Sequence, residues 1–157
     1  MDVYTLETQQ NKREMFISVG EILEKLGYVK SGFSEALIER EKKWPTGLSF
    51  PGSFNVAIPH TDIEFAKKEA LIIIKNSSSP FIFCNMENPK EELPVSFVLC
   101  IVLIDSHKYV SFLSDIVKFL GRDSIQRRLE KDSLPEILEL LIASFTTYSL
   151  VKKGVLV

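Results

Sequence analysis

From Glu14 to Leu26 the apolar residues fall at Met15, Phe16, Val19, Ile22, Leu23 and Leu26. That spacing predicts an amphipathic helix, with Gly27 as its stop. "FSEALIEREKK", residues 33–43, predicts a second helix, capped by Ser31 or Ser34 and ended by Pro45. "PTGLSFPGSF", residues 45–54, carries the proline, glycine and serine of a loop. "NVAIPH" then predicts a short strand, and the isoleucines of "EALIIIKN" another. "SSSP" breaks the pattern as a solvated turn, "PFIFC" is a further short strand, and "NMENPKEEL", residues 85–93, is a polar loop. "VSFVLCIVLI" is apolar at every second position on both faces, which predicts a central strand covered on both sides.

After Asp105-Ser106 the period changes. From His107 to Leu120 the apolar groups Tyr109, Val110, Leu113, Ile116, Val117 and Leu120 describe a helix that Gly121 ends. "DSIQRRLE" predicts a short helix with Asp123 as cap, and "SLPEILELLIASF" another with Pro135 in its first turn. Residues 1–11 carry no clear period, and the tail "TTYSLVKKGVLV" is either loose or ends in a strand. There is no internal repeat and no linker. Helices on both sides of buried strands predict a single-domain α/β sandwich over residues 1–157, with its core in about 14–144.

Composition narrows the function. A formal charge of −2 gives no basic face for nucleic acid. Cys84 and Cys100 stand in apolar surroundings without ligand spacing, so both are expected in the core and no metal is expected. No cofactor motif is present. The start of the chain is acidic and amidic rather than basic and apolar, and the longest apolar run, residues 97–104, falls short of the roughly 20 residues a spanning helix needs. A cytoplasmic protein is expected.

The chemistry gathers around two histidines, His60 and His107, each where a strand gives way to the next element. Pro59 fixes its own φ and keeps Ile58 extended, so His60 stands on stiff backbone at the sheet's edge, with the Thr61 hydroxyl beside it. A nucleophilic histidine needs such a setting, and an ordinary surface histidine after a proline turn has the same sequence. "DSH" reads as the capped start of a helix, whose N–H groups favour anions. Arg40 is explained equally by the helix dipole and by a guanidinium fork placed to grip a phosphate. Phe50 and Phe54 are either core rings or an apolar patch near His60.

"ALIEREKKWPTGL" followed by "NVAIPHTD" resembles the enzyme IIA component of the phosphoenolpyruvate-dependent sugar phosphotransferase system, fructose–mannitol type. The "REKKWPTGL" stretch and the long gap from Arg40 to His60 most resemble the galactitol-type members. The resemblance implies a mixed β-sheet between helices. It also implies a phosphoryl relay: the carrier HPr phosphorylates His60, and His60 passes the group to a IIB component that serves a membrane IIC component. It carries Arg40 over as a candidate phosphoryl contact, and the Thr61 hydroxyl beside His60 is a further candidate on its own chemistry. The family's second histidine falls in register on Tyr109, with His107 two residues upstream; His107 is the slightly favoured candidate to steady the phosphoryl group. A regulatory IIA-like domain, phosphorylated on His60 but acting by docking, is the alternative.

Overall fold

The computed structural model describes residues 1–157 and turns nearly every apolar run into a strand or a helix laid on one sheet. In chain order the elements are β1 (Asp2–Thr8), α1 (Lys12–Lys25), α2 (Phe33–Lys43), β2 (Gly47–Phe50), β3 (Phe54–Ala57) and β4 (Ala70–Asn76). There follow β5 (Phe81–Cys84), β6 (Glu92–Val95), β7 (Phe97–Val102), α3 (Ser106–Leu120), α4 (Asp123–Lys131), α5 (Leu134–Ser144) and β8 (Val151–Val155).

Six strands form one sheet in the order β2-β3-β7-β4-β1-β8, and β5 pairs with β6 in a small second sheet. The main sheet is mixed: β4 runs antiparallel to β7 and parallel to β1, and β3 runs parallel to β7. Side chains alternate across a strand. Leu71, Ile73, Leu99 and Ile101 therefore meet one core, with Phe112 and Ile116 of α3, Leu129 of α4, and Ile137 and Leu141 of α5. Ile72, Ile74, Val98 and Cys100 meet the other, with Met15, Phe16 and Leu23 of α1 and Phe33 and Leu37 of α2. This is the expected single-domain mixed sheet with helices on both faces. No helix is long and apolar enough to cross a membrane.

Several local expectations need correction. The core is wider than residues 14–144, because Val3 and Leu156 are buried in it. β1 lies between β4 and β8 and is parallel to both; its burial comes from partners far away in the chain. Residues 47–50 are a strand, not a loop, paired with β3 in a hairpin. Part of the polar loop 85–93 is also strand, since β6 begins at Glu92. Gly32, at φ 91°, caps α2, while Ser34 turns its hydroxyl to the Phe16 carbonyl. Arg122 rather than Asp123 precedes α4. Cys100 is fully buried as expected, but Cys84, at the end of β5, is only half-buried.

Gly47 joins the two sheets. Its carbonyl accepts the Met86 N–H at 2.8 Å. A Cβ placed on it would lie 2.5 Å from the backbone oxygen of Cys84. Backbone cannot swing aside as a side chain can, so overpacking should be felt in full. Gly47→Ala is therefore expected to lower stability by about 1–3 kcal/mol in urea unfolding. An unchanged midpoint would mean that the two sheets part without cost.

Candidate functional site

β3 ends at Ala57, and the next two residues are held from both sides. The Ile58 N–H donates to the Thr46 carbonyl at 3.2 Å, continuing the ladder toward β2. The Pro59 carbonyl accepts the Ile101 N–H of β7 at 3.1 Å. Proline offers no donor of its own, so nothing is left unpaired at that position. His60 follows directly, with its ring half-buried and its Nδ1 2.8 Å from the Ile58 carbonyl oxygen. A carbonyl only accepts, so Nδ1 carries the proton and Nε2 carries the lone pair.

Burial holds the His60 ring below the ordinary histidine value, with the Arg40 charge acting in the same direction; the Ile58 carbonyl and Asp62 oppose them. The ring packs on Tyr109, with centroids 5.4 Å apart and planes tilted by 37°. The result is a neutral imidazole on clamped backbone, with a known nitrogen free.

Arg40 reaches from the last turn of α2 to the loop after His60, where its Nη1 lies 3.1 Å from Oδ1 of Asp62. Its Nε is buried and has no acceptor. This side chain is turned to the histidine loop as well as standing at the helix end. Thr61 is buried, and its hydroxyl donates to the Asp62 carbonyl at 3.1 Å. It shapes the turn instead of offering a free donor beside the ring.

The second-histidine position resolves against the favoured candidate. Asp105 caps α3 by accepting the N–H groups of His107 and Lys108, which fixes the helix start at Ser106. Two residues turn a helix by about 200°. Tyr109 therefore faces His60, and His107 is exposed with no side-chain hydrogen bond in the structure. The Tyr109 hydroxyl accepts the Leu103 N–H at 3.1 Å and donates to the Ile101 carbonyl at 3.2 Å. Burial pushes its phenol up to about 12.

Phe50 and Phe54 are core rings, not a rim around His60. Phe54 is buried, Phe50 packs against the same core, and both stand at the turn of the β2–β3 hairpin. Six residues of extended chain put Phe54 roughly 20 Å from His60.

Asp62 and Thr46 have no role that the sequence alone reveals, although they lie inside "NVAIPHTD" and "REKKWPTGL". Thr46 is bonded through its N–H and its hydroxyl to Glu41, each at 2.7 Å. The signal was a polar residue just past Pro45, at the foot of the strand pair that ends at His60. No three His, Cys, Asp or Glu side chains converge anywhere to hold a metal ion. A cleft of about 650 Å³ lies elsewhere, between the start of α1 and β5, and does not include His60.

Comparison with known proteins identifies the family of the fold. Residues 2–144 match the family described as "Phosphoenolpyruvate-dependent sugar phosphotransferase system, EIIA 2". The mannitol-specific EIICBA component of Buchnera aphidicola is 31% identical over 138 residues, which cover 83% of this chain and 20% of that protein. The chain thus spans about a fifth of the length of the curated relatives it matches. Among solved structures, the complex of enzyme IIAMTL with phosphorylated enzyme IIBMTL from Escherichia coli superposes with a TM-score of 0.64. That match has 25% identity and covers 90% of this chain and 94% of the other. The nitrogen regulatory protein IIA-Ntr of Neisseria meningitidis, 24% identical, shares the fold with a TM-score of 0.66 over 90% of this chain and 92% of its own. With the match running from β1 through α5, the chain belongs to the EIIA 2 family of the phosphoenolpyruvate-dependent sugar phosphotransferase system, the fructose–mannitol type, whose domains are phosphotransfer proteins.

Proposed function

We propose that this chain is a phosphoryl carrier that accepts a phosphoryl group on Nε2 of His60 from phospho-HPr and passes it to a IIB component, which serves a membrane IIC component. The observation that carries this reading is the bond from Nδ1–H to the Ile58 carbonyl, which leaves Nε2 free on backbone held at both ends. In the transfer, the Nε2 lone pair attacks phosphorus while the donor's P–N bond breaks and its electron pair returns to the donor's ring nitrogen. His60 keeps its Nδ1 proton, and the Ile58 carbonyl steadies the positive charge that grows on the ring. The second transfer reverses these steps toward the nucleophile of the IIB component. Positioning and charge stabilisation suffice for such chemistry.

Arg40 supplies the cation beside the ring. Exposed apolar side chains stand on the segments that flank His60: Ile63 in the following turn, Ile104 after β7 and Val110 beside Tyr109. They suit the broad, shallow contact of a protein partner. The polyol served is a finer proposal. "REKKWPTGL" and the Arg40–His60 spacing favour galactitol, while the matched Buchnera relative is mannitol-specific. A screen of IIB components decides between them; label that moves to no IIB component would point to docking-based regulation.

His60→Ala is expected to abolish incorporation of acid-labile phosphate from phosphoenolpyruvate, enzyme I and HPr. Persistent labelling of that variant refutes the assignment of His60.

Arg40→Lys keeps the charge but loses the planar fork. Phosphoryl transfer should slow by up to about 10²-fold, the scale of one lost donor at a developing charge. Its thermal melting should stay close to wild type, because the pair with Asp62 is solvent-exposed. A transfer rate equal to wild type would return Arg40 to a helix-end role.

The pH dependence has a definite sign. The folded His60 value is lowered, so the unfolded chain binds more protons than the folded one between that value and about 6.5. Stability contributed at His60 is present above about pH 6.5 and is lost as pH falls through the folded value. An NMR titration of the His60 ring should show a midpoint below 6.5, with acceptor activity persisting down to it. A midpoint at or above the ordinary value contradicts the burial argument.

A further inference from the structure

Glu41 is a buried carboxyl that the transfer described above leaves without a task. It lies in α2 one residue after Arg40 and is 6% exposed. Buried carboxylates are normally matched by a cation. The ion pairs of the fold join Arg40, Lys42, Lys108, Arg128 and Lys152 to other acids, and none includes Glu41. Both of its oxygens are instead occupied by one residue. The Thr46 N–H donates to Oε2 and the Thr46 hydroxyl to Oε1, each at 2.7 Å.

From Thr46 the bonds run on to the ring. The Thr46 carbonyl accepts the Ile58 N–H at 3.2 Å, and the Ile58 carbonyl accepts Nδ1–H of His60 at 2.8 Å. The chain has to pass from α2 to β2 across Trp44 and Pro45, and Pro45 has no N–H to anchor it. Glu41 is thus what ties Thr46 to the helix that also carries Arg40. An unconstrained neutral histidine side chain in water keeps its proton mostly on Nε2. Holding it on Nδ1 requires the Ile58 carbonyl to stay within hydrogen-bond range, and a drift beyond about 3.5 Å ends the bond.

We propose that Glu41 is a positioning residue for phosphoryl transfer. It anchors Thr46, Thr46 anchors Ile58, and the Ile58 carbonyl keeps the proton on Nδ1 and the lone pair on Nε2 of His60. This rests on the reading of His60 as the phosphorylated residue. The tether is one of geometry rather than of charge. Glu41→Gln can keep both links, its amide oxygen accepting the Thr46 N–H and its amide N–H donating to the Thr46 hydroxyl. Glu41→Ala removes the tether, and Glu41→Asp keeps the charge but falls one methylene short.

The test uses the full chain and two readouts. Nitrogen-15 NMR of the ring, at a pH where it is neutral, reports which nitrogen holds the proton with no phosphoryl group present. Transfer from phospho-HPr reports function. Wild type and Glu41→Gln should both show the Nδ1–H form and similar rates. Glu41→Ala should shift the proton toward Nε2 and slow transfer by up to about 10²-fold, the scale of a reacting group displaced by about an ångström. Glu41→Asp should do the same and is the variant to read if the alanine protein does not fold. A folded Ala or Asp variant with the wild-type tautomer overturns the proposal. So does a shifted tautomer with an unchanged transfer rate, or a Gln variant as impaired as Ala. Should His60→Ala still take up label, the fault lies with the reading of His60, and the tautomer measurement still stands on its own.

Discussion

Two backbone hydrogen bonds, from Ile58 N–H to Thr46 and from Ile101 N–H to the Pro59 carbonyl, decide where the His60 ring stands. They exist because β3 lies between β2 and β7 in the sheet. Pro59 closes the ladder without leaving a donor unpaired, and its ring stiffens the step to His60. With the main chain so held, the Ile58 carbonyl is in place for Nδ1, and the side chain is pressed partly into the protein against Tyr109. The same burial that orients the ring also keeps it neutral. Orientation, tautomer and protonation state thus share one cause, the pairing of a short inner strand.

Tyr109 completes this arrangement from the other side. After β7 ends at Val102, the Leu103 N–H and the Ile101 carbonyl need partners inside the protein. One phenol hydroxyl answers both, accepting from the first and donating to the second. With its phenol pushed up to about 12, Tyr109 stays protonated, so the donor is kept across the working pH range. Its hydroxyl is therefore occupied by backbone and what it offers His60 is a ring face. The position where the family resemblance implied a second histidine is here a structural seal on β7, the strand that clamps Pro59.

What could be read from the sequence follows from the range of the forces involved. β4 and β7 were legible because a strand covered on both faces must be apolar at successive positions. The stiff backbone under His60 was legible because a proline acts on its immediate neighbour. β1 was not, since "DVYTLET" holds few apolar residues and is buried by strands some 70 and 150 positions away. β2 hid behind Pro45, Gly47, Pro51 and Gly52, which read as a loop but make the ends of a hairpin. The preference for His107 over Tyr109 hung on one helix cap. A start at Ser106 puts the two residues on different faces, and the hydrophobic period alone does not tell which faces the strand end. Phe50 and Phe54 were close to His60 in sequence, but an extended strand carries proximity away at about 3.3 Å per residue.

Arg40 shows how the resting site and a phosphorylated one would differ. Its partner Asp62 has a side chain 70% exposed, and exposed pairs of this kind contribute about 0–1 kcal/mol. Its Nε is buried without an acceptor, and an unmet buried donor costs about 1–3 kcal/mol. The resting guanidinium is therefore weakly held on one side and unsatisfied on the other. In the transfer proposed here, a phosphoryl group on Nε2 brings several acceptor oxygens and more negative charge than Asp62 presents. It can draw the fork from Asp62 without a large loss, and one oxygen can supply the acceptor that Nε lacks. An interaction that is incomplete in the resting protein and completed when charge arrives is stronger where the reaction needs it, which is the condition for an interaction to lower the barrier instead of only tightening binding.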